Sequence, residues 1–306
     1  GFLSISLIFT LIIFEYLFAI FITFNFVYVP HVDTGKWDGK EVLKKYYAFC
    51  LPLVLCSILS FLEAFSKPWM LQNFGAAEQQ AYYGVSYQFA TVSILLTSSI
   101  LNIFWKEIAE AHENGNLERI HYLYKKTSRF LFFSGVIICG FFIFWSEEIV
   151  KLALGQAYLE SSRTLIIMFI FTVHQALGQI TGAMLLATDR TPLHFRFNAL
   201  SVLMGLLIAY FFLAPKDAWI PGLELGAMGM ALQMVLLQFV VVNIKIWWID
   251  KIYGWKSDIS FQLIGLGISF AFGWLAFNLA GSISSYLSLN IIWKFGISLV
   301  MYGTFS

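Results

Sequence analysis

Residues 164–188, TLIIMFIFTVHQALGQITGAMLLAT, form a largely apolar stretch that contains no Asp, Glu, Lys or Arg. A run of this length can cross the hydrocarbon core of a bilayer, about 30 Å thick, as one α-helix of about 20 residues. A charged side chain at the bilayer centre costs about 2.5–3.5 kcal/mol on insertion scales, so long uncharged runs are diagnostic of spanning helices. The stretch therefore predicts a transmembrane helix.

The composition extends this prediction to the whole chain. Of the 306 residues 59% are apolar and only 12% are charged, against about a quarter charged in soluble proteins. The formal charge of +1 gives no basic field that would attract nucleic acid. Three cysteines lie inside apolar runs without metal-ligand or disulfide spacing, namely Cys50, Cys56 and Cys139. We therefore predict no metal and no cofactor.

The other uncharged runs give the number of spanning helices. They cover residues 46–62, 79–105, 130–146, 197–215, 225–244 and 259–293, and an opening run, 2–28, is interrupted only by Glu15. The run 259–293 is long enough for two helices, and a Gly, Ser and Asn cluster between Gly281 and Asn290 predicts the turn between them. We predict an all-α polytopic membrane protein with about nine transmembrane helices.

The basic residues give an orientation. If the polar segments alternate sides, fourteen of the nineteen Lys and Arg residues fall on one side, which the positive-inside rule makes cytoplasmic. Gly1 is then outside, and residues 31–45 and 106–129 are cytoplasmic. The first run is not a secretory signal, because no basic residue precedes it and no cleavage pattern follows. Both ends look cut, so we expect the chain to be a fragment.

Two acidic residues within spans, Glu15 and Glu63, are functional candidates, because a carboxylate in hydrocarbon must be protonated, be paired or face water. Lys67 lies four residues after Glu63, on the same helical face, and Pro68 is expected to end or bend that helix. The pair could either anchor a helix end at the outer interface or line a cavity.

The quoted stretch supplies further candidates. His174 is the only histidine within a span, and either a hydrogen bond to a neighbouring helix or a proton-coupling role would explain it. Gln175 and Gln179 lie one turn apart on one face and are expected to line a cavity. Gly178 and Gly182 are expected to let another helix approach. No HExxH, GxSxG, phosphate-loop or CxxC motif occurs, so we predict that the protein is not an enzyme.

The order of several short motifs resembles the second half of a lipid-linked oligosaccharide flippase. These are the O-antigen and polysaccharide-unit translocases of the multidrug, oligosaccharidyl-lipid and polysaccharide exporter superfamily. The motifs are KKYYAFCLP at 44–52, YYGVSY at 82–87, LGQAYLESS at 154–162, ATDRT at 187–191 and GAMG at 226–229. One departure is that Ser66 stands where family members often carry an acid, although Lys67 keeps the base.

The resemblance implies a domain organisation. Residues 1–29 would be the last helix of an N-terminal lobe, 30–45 a cytoplasmic linker, 46–247 the six-helix C-terminal lobe of a two-lobe transporter, and 248–306 two additional helices. It further implies flipping of undecaprenyl-pyrophosphate-linked oligosaccharide units by alternating access across the bacterial inner membrane, with the start of the chain on the periplasmic side.

The expected partners are the lipid-linked substrate, membrane lipid and a polysaccharide polymerase. Lys67 would contact phosphate or sugar with Glu63 tuning it, while Gln88, Gln175 and Gln179 would bind sugar and His174 or Glu15 would sense a proton. The alternatives are a multidrug exporter of the same superfamily, a membrane glycan enzyme such as a polymerase or acyltransferase, and a structural scaffold. Short outer segments argue against the polymerase. An acyltransferase would need a histidine with an acid in reach, and His174 has no acid within its own turn. Intramembrane polar residues argue against the scaffold.

Overall fold

The computed structural model describes residues 5–26, 39–256, 259–286 and 290–305 of the chain. Within those ranges the chain forms nine α-helices and two short 3-10 turns. The helices are α1 (Ile5–Phe26), α2 (Gly39–Glu113), α3 (Leu117–Phe142), α4 (Ser146–Leu154), α5 (Ser161–Ala187), α6 (Thr191–Leu213), α7 (Gly226–Tyr253), α8 (Ser260–Tyr286) and α9 (Ile291–Phe305).

Six of the helices are long and apolar enough to cross a membrane, and two shorter apolar segments lie in α1 and α9. The prediction of an all-α, multi-pass membrane protein is confirmed. The chain divides into two compact units, residues 1–46 and 47–306. In the first unit α1 exposes its apolar side chains, with Phe14 and Phe18 stacked 6.3 Å apart.

Helix α2 contains two of the predicted spans, because Ala76 leaves helical geometry at φ 63° and ψ 174°. Leu71, before the break, packs with the end of α6 and the start of α7. Ile108, after the break, packs in a cluster with Ile249 at the other end of α7. The first half also runs along α7 in the opposite direction, since Cys56, well before Leu71, lies near Lys245 in the later part of α7. Residues 47–113 therefore form a helical hairpin that reverses at Ala76.

Helix α5, the stretch quoted at the outset, is the centre of the second unit and is the most buried of the spanning helices. It packs against α3 on one side and α7 on another, while α6 packs on α7 and α8 packs on α3. Gly135 of α3 sits directly against the backbone of Val173, and Gly178 faces Gln238 and Val242 of α7. The packing role expected for Gly178 is therefore observed.

Small residues let α3 and α8 approach closely, as is common between membrane helices. A methyl group on Gly273 would overlap the carbonyl of Gly140. Beside this contact the Ser269 hydroxyl donates to the carbonyl of Val136 over 2.8 Å and lies 2.6 Å from the hydroxyl of Tyr302 in α9. Helices α8 and α9 are thus joined to the rest of the second unit by backbone contact and hydrogen bonds.

Some local expectations can be compared with the helix boundaries. Helix α2 does not end at Pro68, which was one of the two alternatives, but continues to Ala76; a bend at Pro68 stays a prediction. The run 259–293 does form two helices, and the boundary between them falls inside the predicted cluster, since α8 ends at Tyr286 and α9 begins at Ile291. The first part of the cluster is still helical, and the hydroxyl of Ser282 donates to the carbonyl of Asn278 over 3.1 Å.

Other expectations differ in detail or fall outside the described ranges. Near the start of α9 the ammonium of Lys294 lies 4.1 Å from the ring centre of Phe277 and 5.3 Å from that of Trp145, within the range of cation–π contacts. The predicted cytoplasmic segment 106–129 does continue its flanking helices, with one turn between Glu113 and Leu117. Residues 30–38 of the predicted linker, and Ser288 of the predicted turn, lie outside the described residues.

Candidate functional site

Glu63 and Lys67 form an ion pair on α2, as their spacing predicts. Nζ of Lys67 lies 2.5 Å from Oε1 of Glu63, and the two side chains are 11% and 29% exposed. The lysine is thus the more buried partner. Its position is stable only while the carboxylate compensates it, because an isolated charge in an apolar surrounding is costly.

Two further residues complete the surroundings of Lys67. A Cβ atom placed on Gly205 of α6 would lie 3.6 Å from Nζ of Lys67 and 3.3 Å from Nε2 of Gln233 in α7. Gln233 is fully buried, and neither atom of its amide has a hydrogen-bond partner among the described residues. The side chains of α2 and α7 therefore bring a cation, a carboxylate and a primary amide to one place beside Gly205.

A second polar cluster joins α5, α7 and α8. His174 is buried, and its Nε2 lies 3.3 Å from Oε1 of Gln262. Because that oxygen can only accept, Nε2 carries the proton in this arrangement. Nε2 of Gln238 lies 3.3 Å from both the carbonyl of His174 and Oε1 of Gln175. His174 thus makes a hydrogen bond to a neighbouring helix, which was one of the two predicted reasons for a histidine in this span. Its role in proton coupling stays a prediction.

Three predicted residues remain. Gln179 is half-buried on α5, and its Oε1 is buried without a partner among the described residues. Gln88 is exposed on the second half of α2, and Glu15 is exposed on α1 of the first unit. Within the second unit the structure therefore pairs Glu63 with Lys67 and links Gln175 and the backbone of His174 through Gln238.

Sequence reasoning missed two buried residues of α7. Gln233 carries no charge and lies inside the uncharged run 225–244, so the search for charged residues did not single it out. Lys245 was used only to mark the end of that run, yet it is 9% exposed. The usable signal was that any strongly polar side chain within hydrocarbon is a functional candidate, whether or not it carries charge. Lys245 lies close enough to Cys56 and His194 to act on both electrostatically.

These groups can bind phosphates and sugar hydroxyls. Ammonium and amide groups donate hydrogen bonds to phosphates and hydroxyls, and amide oxygens accept from hydroxyls. Across the described ranges, no three His, Cys, Asp or Glu side chains are grouped so as to hold a metal ion.

Comparison with protein families gives one match. Residues 2–163, just over half of the chain, match the model of a family described as polysaccharide biosynthesis protein. A search of curated proteins found no match.

Solved transporters share the fold. An outward-facing multidrug resistance transporter of the MATE family and MOP superfamily superposes with a TM-score of 0.64 at 15% identity, over 78% of this chain and 53% of its own. A MOP superfamily transporter from Pyrococcus furiosus gives 0.63 at 16%, over 78% and 53%. Lipid II flippase MurJ, in an inward closed conformation, gives 0.61 at 16%, over 90% and 56%. The chain thus spans about half the length of the transporters it matches.

Proposed function

The chain belongs to the family of polysaccharide biosynthesis proteins, and from that membership we propose that it is part of a flippase for lipid-linked oligosaccharides. The substrate would be an undecaprenyl-pyrophosphate-linked unit that crosses the bacterial inner membrane on its way into O-antigen, capsule or exopolysaccharide. The family match carries this proposal. The fold supports it, because it is shared with a lipid II flippase and with exporters rather than with an enzyme.

The physical problem that such a protein solves is desolvation. Phosphates and sugar hydroxyls would lose their hydration in hydrocarbon at several kcal/mol per unsatisfied group, on the order of the polar transfer costs measured for small molecules. Two lobes that open a polar cavity alternately to each side avoid this loss, while the polyprenyl tail stays in lipid. Residues 46–247 would be the second lobe, residues 1–29 would end the first, and residues 248–306 would be an added pair of helices.

In this proposal Lys67 contacts the pyrophosphate or a sugar, and Glu63 tunes it by holding the ammonium when no substrate is bound. Gln88, Gln175 and Gln179 bind sugar hydroxyls, and His174 or Glu15 senses a coupling proton. The ion pair beside the unpartnered amide of Gln233 supports the role of Lys67, because the structure offers polar groups there with unused hydrogen-bonding capacity. The start of the chain would be periplasmic, and a polysaccharide polymerase would act on the product.

A surface-glycan experiment with a matched control tests the proposal. The complete protein is expressed in cells that lack their own copy, as wild type, K67Q or K151Q, and surface glycan is measured at equal protein level in the membrane. Lys151 pairs with Glu147 at the same i, i+4 spacing but is 42% exposed. We expect K151Q to restore glycan fully and K67Q to reduce it about 10- to 100-fold, since a hydrogen bond to a charged group is worth about 1.5–3 kcal/mol. Unchanged glycan with K67Q removes Lys67 from the site.

The second candidate is a multidrug exporter, because the MATE transporters match the fold as well as MurJ does. Export of cationic drugs by the complete protein, together with normal surface glycan in cells that lack it, would favour that function.

A further inference from the structure

A groove at one end of the bundle is lined by α3, by the last turn of α7 with the residues after it, and by the start of α8. It has a volume of about 90 Å³. Its lining includes the cationic side chains of Lys125, Arg129 and Lys256 and the aromatic side chains of Tyr124, Trp255 and Phe261. The groove shares Gln262 with the second polar cluster, but none of the residues proposed to contact the translocated glycan lines it.

The rim of the groove is positively charged. Among the described residues that line the groove, Lys125, Arg129 and Lys256 are cationic and one residue, the buried Asp250, is acidic. A shallower depression beside it adds Lys126 and Glu118. The cations outnumber the acids in both hollows, so an anion is the favoured occupant.

Aromatic rings hold this rim in place. The indole of Trp255 stacks on the His121 ring at 4.5 Å and on the Tyr253 ring at 4.7 Å. The Arg129 guanidinium lies 5.4 Å from the centre of the Phe261 ring, within the range of a cation–π contact. The guanidinium of Arg129 is therefore partly preorganised, which lowers the entropy cost of binding a ligand.

The inner wall of the groove is apolar and belongs to spanning helices. It consists of Phe132 of α3, Leu177 of α5 and Ile246 of α7. The hydroxyl of Ser128, at the junction between rim and wall, is buried and has no partner among the described residues. An occupant that satisfies the whole groove has an anionic, hydrogen-bond-accepting head and an apolar tail.

The position of the groove along the chain indicates that its occupant comes from the membrane. Arg129 is the last charged residue before the uncharged run 130–146, and Lys256 shortly precedes the run 259–293. The positive-inside rule predicts that this end is cytoplasmic. Basic pockets between spanning helices on that side are suited to anionic lipid headgroups. We propose that the groove binds the headgroup phosphate of an anionic phospholipid of the cytoplasmic leaflet, with Lys125, Arg129 and Lys256 on the phosphate and Ser128 donating a hydrogen bond.

Lipid binding to the purified complete protein tests this proposal. The protein is delipidated in dodecyl maltoside, and binding of phosphatidylglycerol and phosphatidylcholine is measured by native mass spectrometry for wild type, K125Q/R129Q and the control K106Q. Lys106 is also a basic residue of the predicted cytoplasmic segment, but it does not line the groove. A basic residue near an anionic membrane surface contributes about 1 kcal/mol, about fivefold in affinity.

We expect phosphatidylglycerol to bind wild type at least tenfold more tightly than phosphatidylcholine, and K125Q/R129Q to lose about 10- to 30-fold of that affinity. K106Q should stay within twofold of wild type. If the double variant does not fold, K125Q and K256Q each test the proposal with an expected loss of about fivefold. The proposal would be overturned by equal binding of the two lipids or by equal losses of affinity in K106Q and the groove variants. Displacement of the lipid by millimolar inorganic phosphate would also overturn it, because it would show a site for free anions.

Discussion

The ion pair between Glu63 and Lys67 makes an asymmetric prediction about stability. Lys67 is 11% exposed and Glu63 is 29% exposed. In the E63Q variant the mostly buried ammonium loses its counter-charge, and little of it is exposed for hydration. In K67M the remaining carboxylate is more exposed and therefore easier to hydrate. The two single substitutions should therefore have unequal costs, although each breaks the same pair.

The magnitudes follow from the burial of the charge that remains. Removing one partner of a buried pair lowers the free energy of unfolding by about 3–5 kcal/mol. We expect E63Q to lie at the lower end, about 3 kcal/mol, because its amide oxygen still accepts one hydrogen bond. K67M should cost about 1 kcal/mol, and E63Q/K67M should lie within about 1 kcal/mol of wild type, since no charge stays buried. The exposed pair of Glu147 and Lys151 is the control, and E147Q should cost less than about 1 kcal/mol.

Unfolding in mixed micelles measures these differences. The complete protein in dodecyl maltoside is titrated with sodium dodecyl sulfate, and loss of helix is followed by circular dichroism for the four proteins and the control. An E63Q cost no larger than that of K67M, or no larger than that of E147Q, would refute the argument that a buried, compensated lysine lies beside Gly205.

Three further predictions concern the framework around the site. G273L should separate α3 from α8 and lower the unfolding temperature by several degrees in a thermal melt, whereas G267L should have little effect, because a Cβ at Gly267 meets no atom within 4 Å. Q79A should lower the free energy of unfolding in micelles by about 1 kcal/mol, because Oε1 of Gln79 accepts a hydrogen bond from the backbone N–H of Ala227 over 2.9 Å, as a helix cap would. An unchanged midpoint of the dodecyl sulfate titration would contradict this. Q262A should cost about 1–3 kcal/mol by leaving the buried His174 ring unpaired, and Q262E should retain most of that stability if the bond matters.

The sequence was sufficient to predict the helices, because the cost of burying charge acts on each residue separately. Helix α5 could be placed from its lack of charge alone, and the Glu63–Lys67 pair from helical periodicity, since both properties are local. The packing role of Gly178 was predictable for the same reason. Whether residues 46–247 form a lobe of their own stays a prediction.

What the sequence could not show depends on contacts between distant segments. Gln233 meets the surroundings of Lys67 only because α7 and α2 pack on the same face of α6, which no local pattern reveals. Pro68 is a stronger helix breaker than Ala76 by propensity, yet the chain reverses at Ala76. The cluster from Gly281 to Asn290 was predicted as a turn and does contain the boundary between α8 and α9. Composition did not show that α8 continues through Gly281 and Ser282 to Tyr286, where the Ser282 hydroxyl bonds within the helix.

Reconstituted translocation tests the central claim most directly. The complete protein is placed in proteoliposomes that contain an undecaprenyl-pyrophosphate-linked oligosaccharide, and the appearance of the glycan on the opposite leaflet is followed with a membrane-impermeant lectin. The account predicts translocation by wild type and K151Q, and a rate at least tenfold lower for K67Q at equal protein content. The account would be contradicted if wild type does not translocate the glycan but actively transports a different class of substrate. A K67Q rate equal to that of wild type would also contradict it.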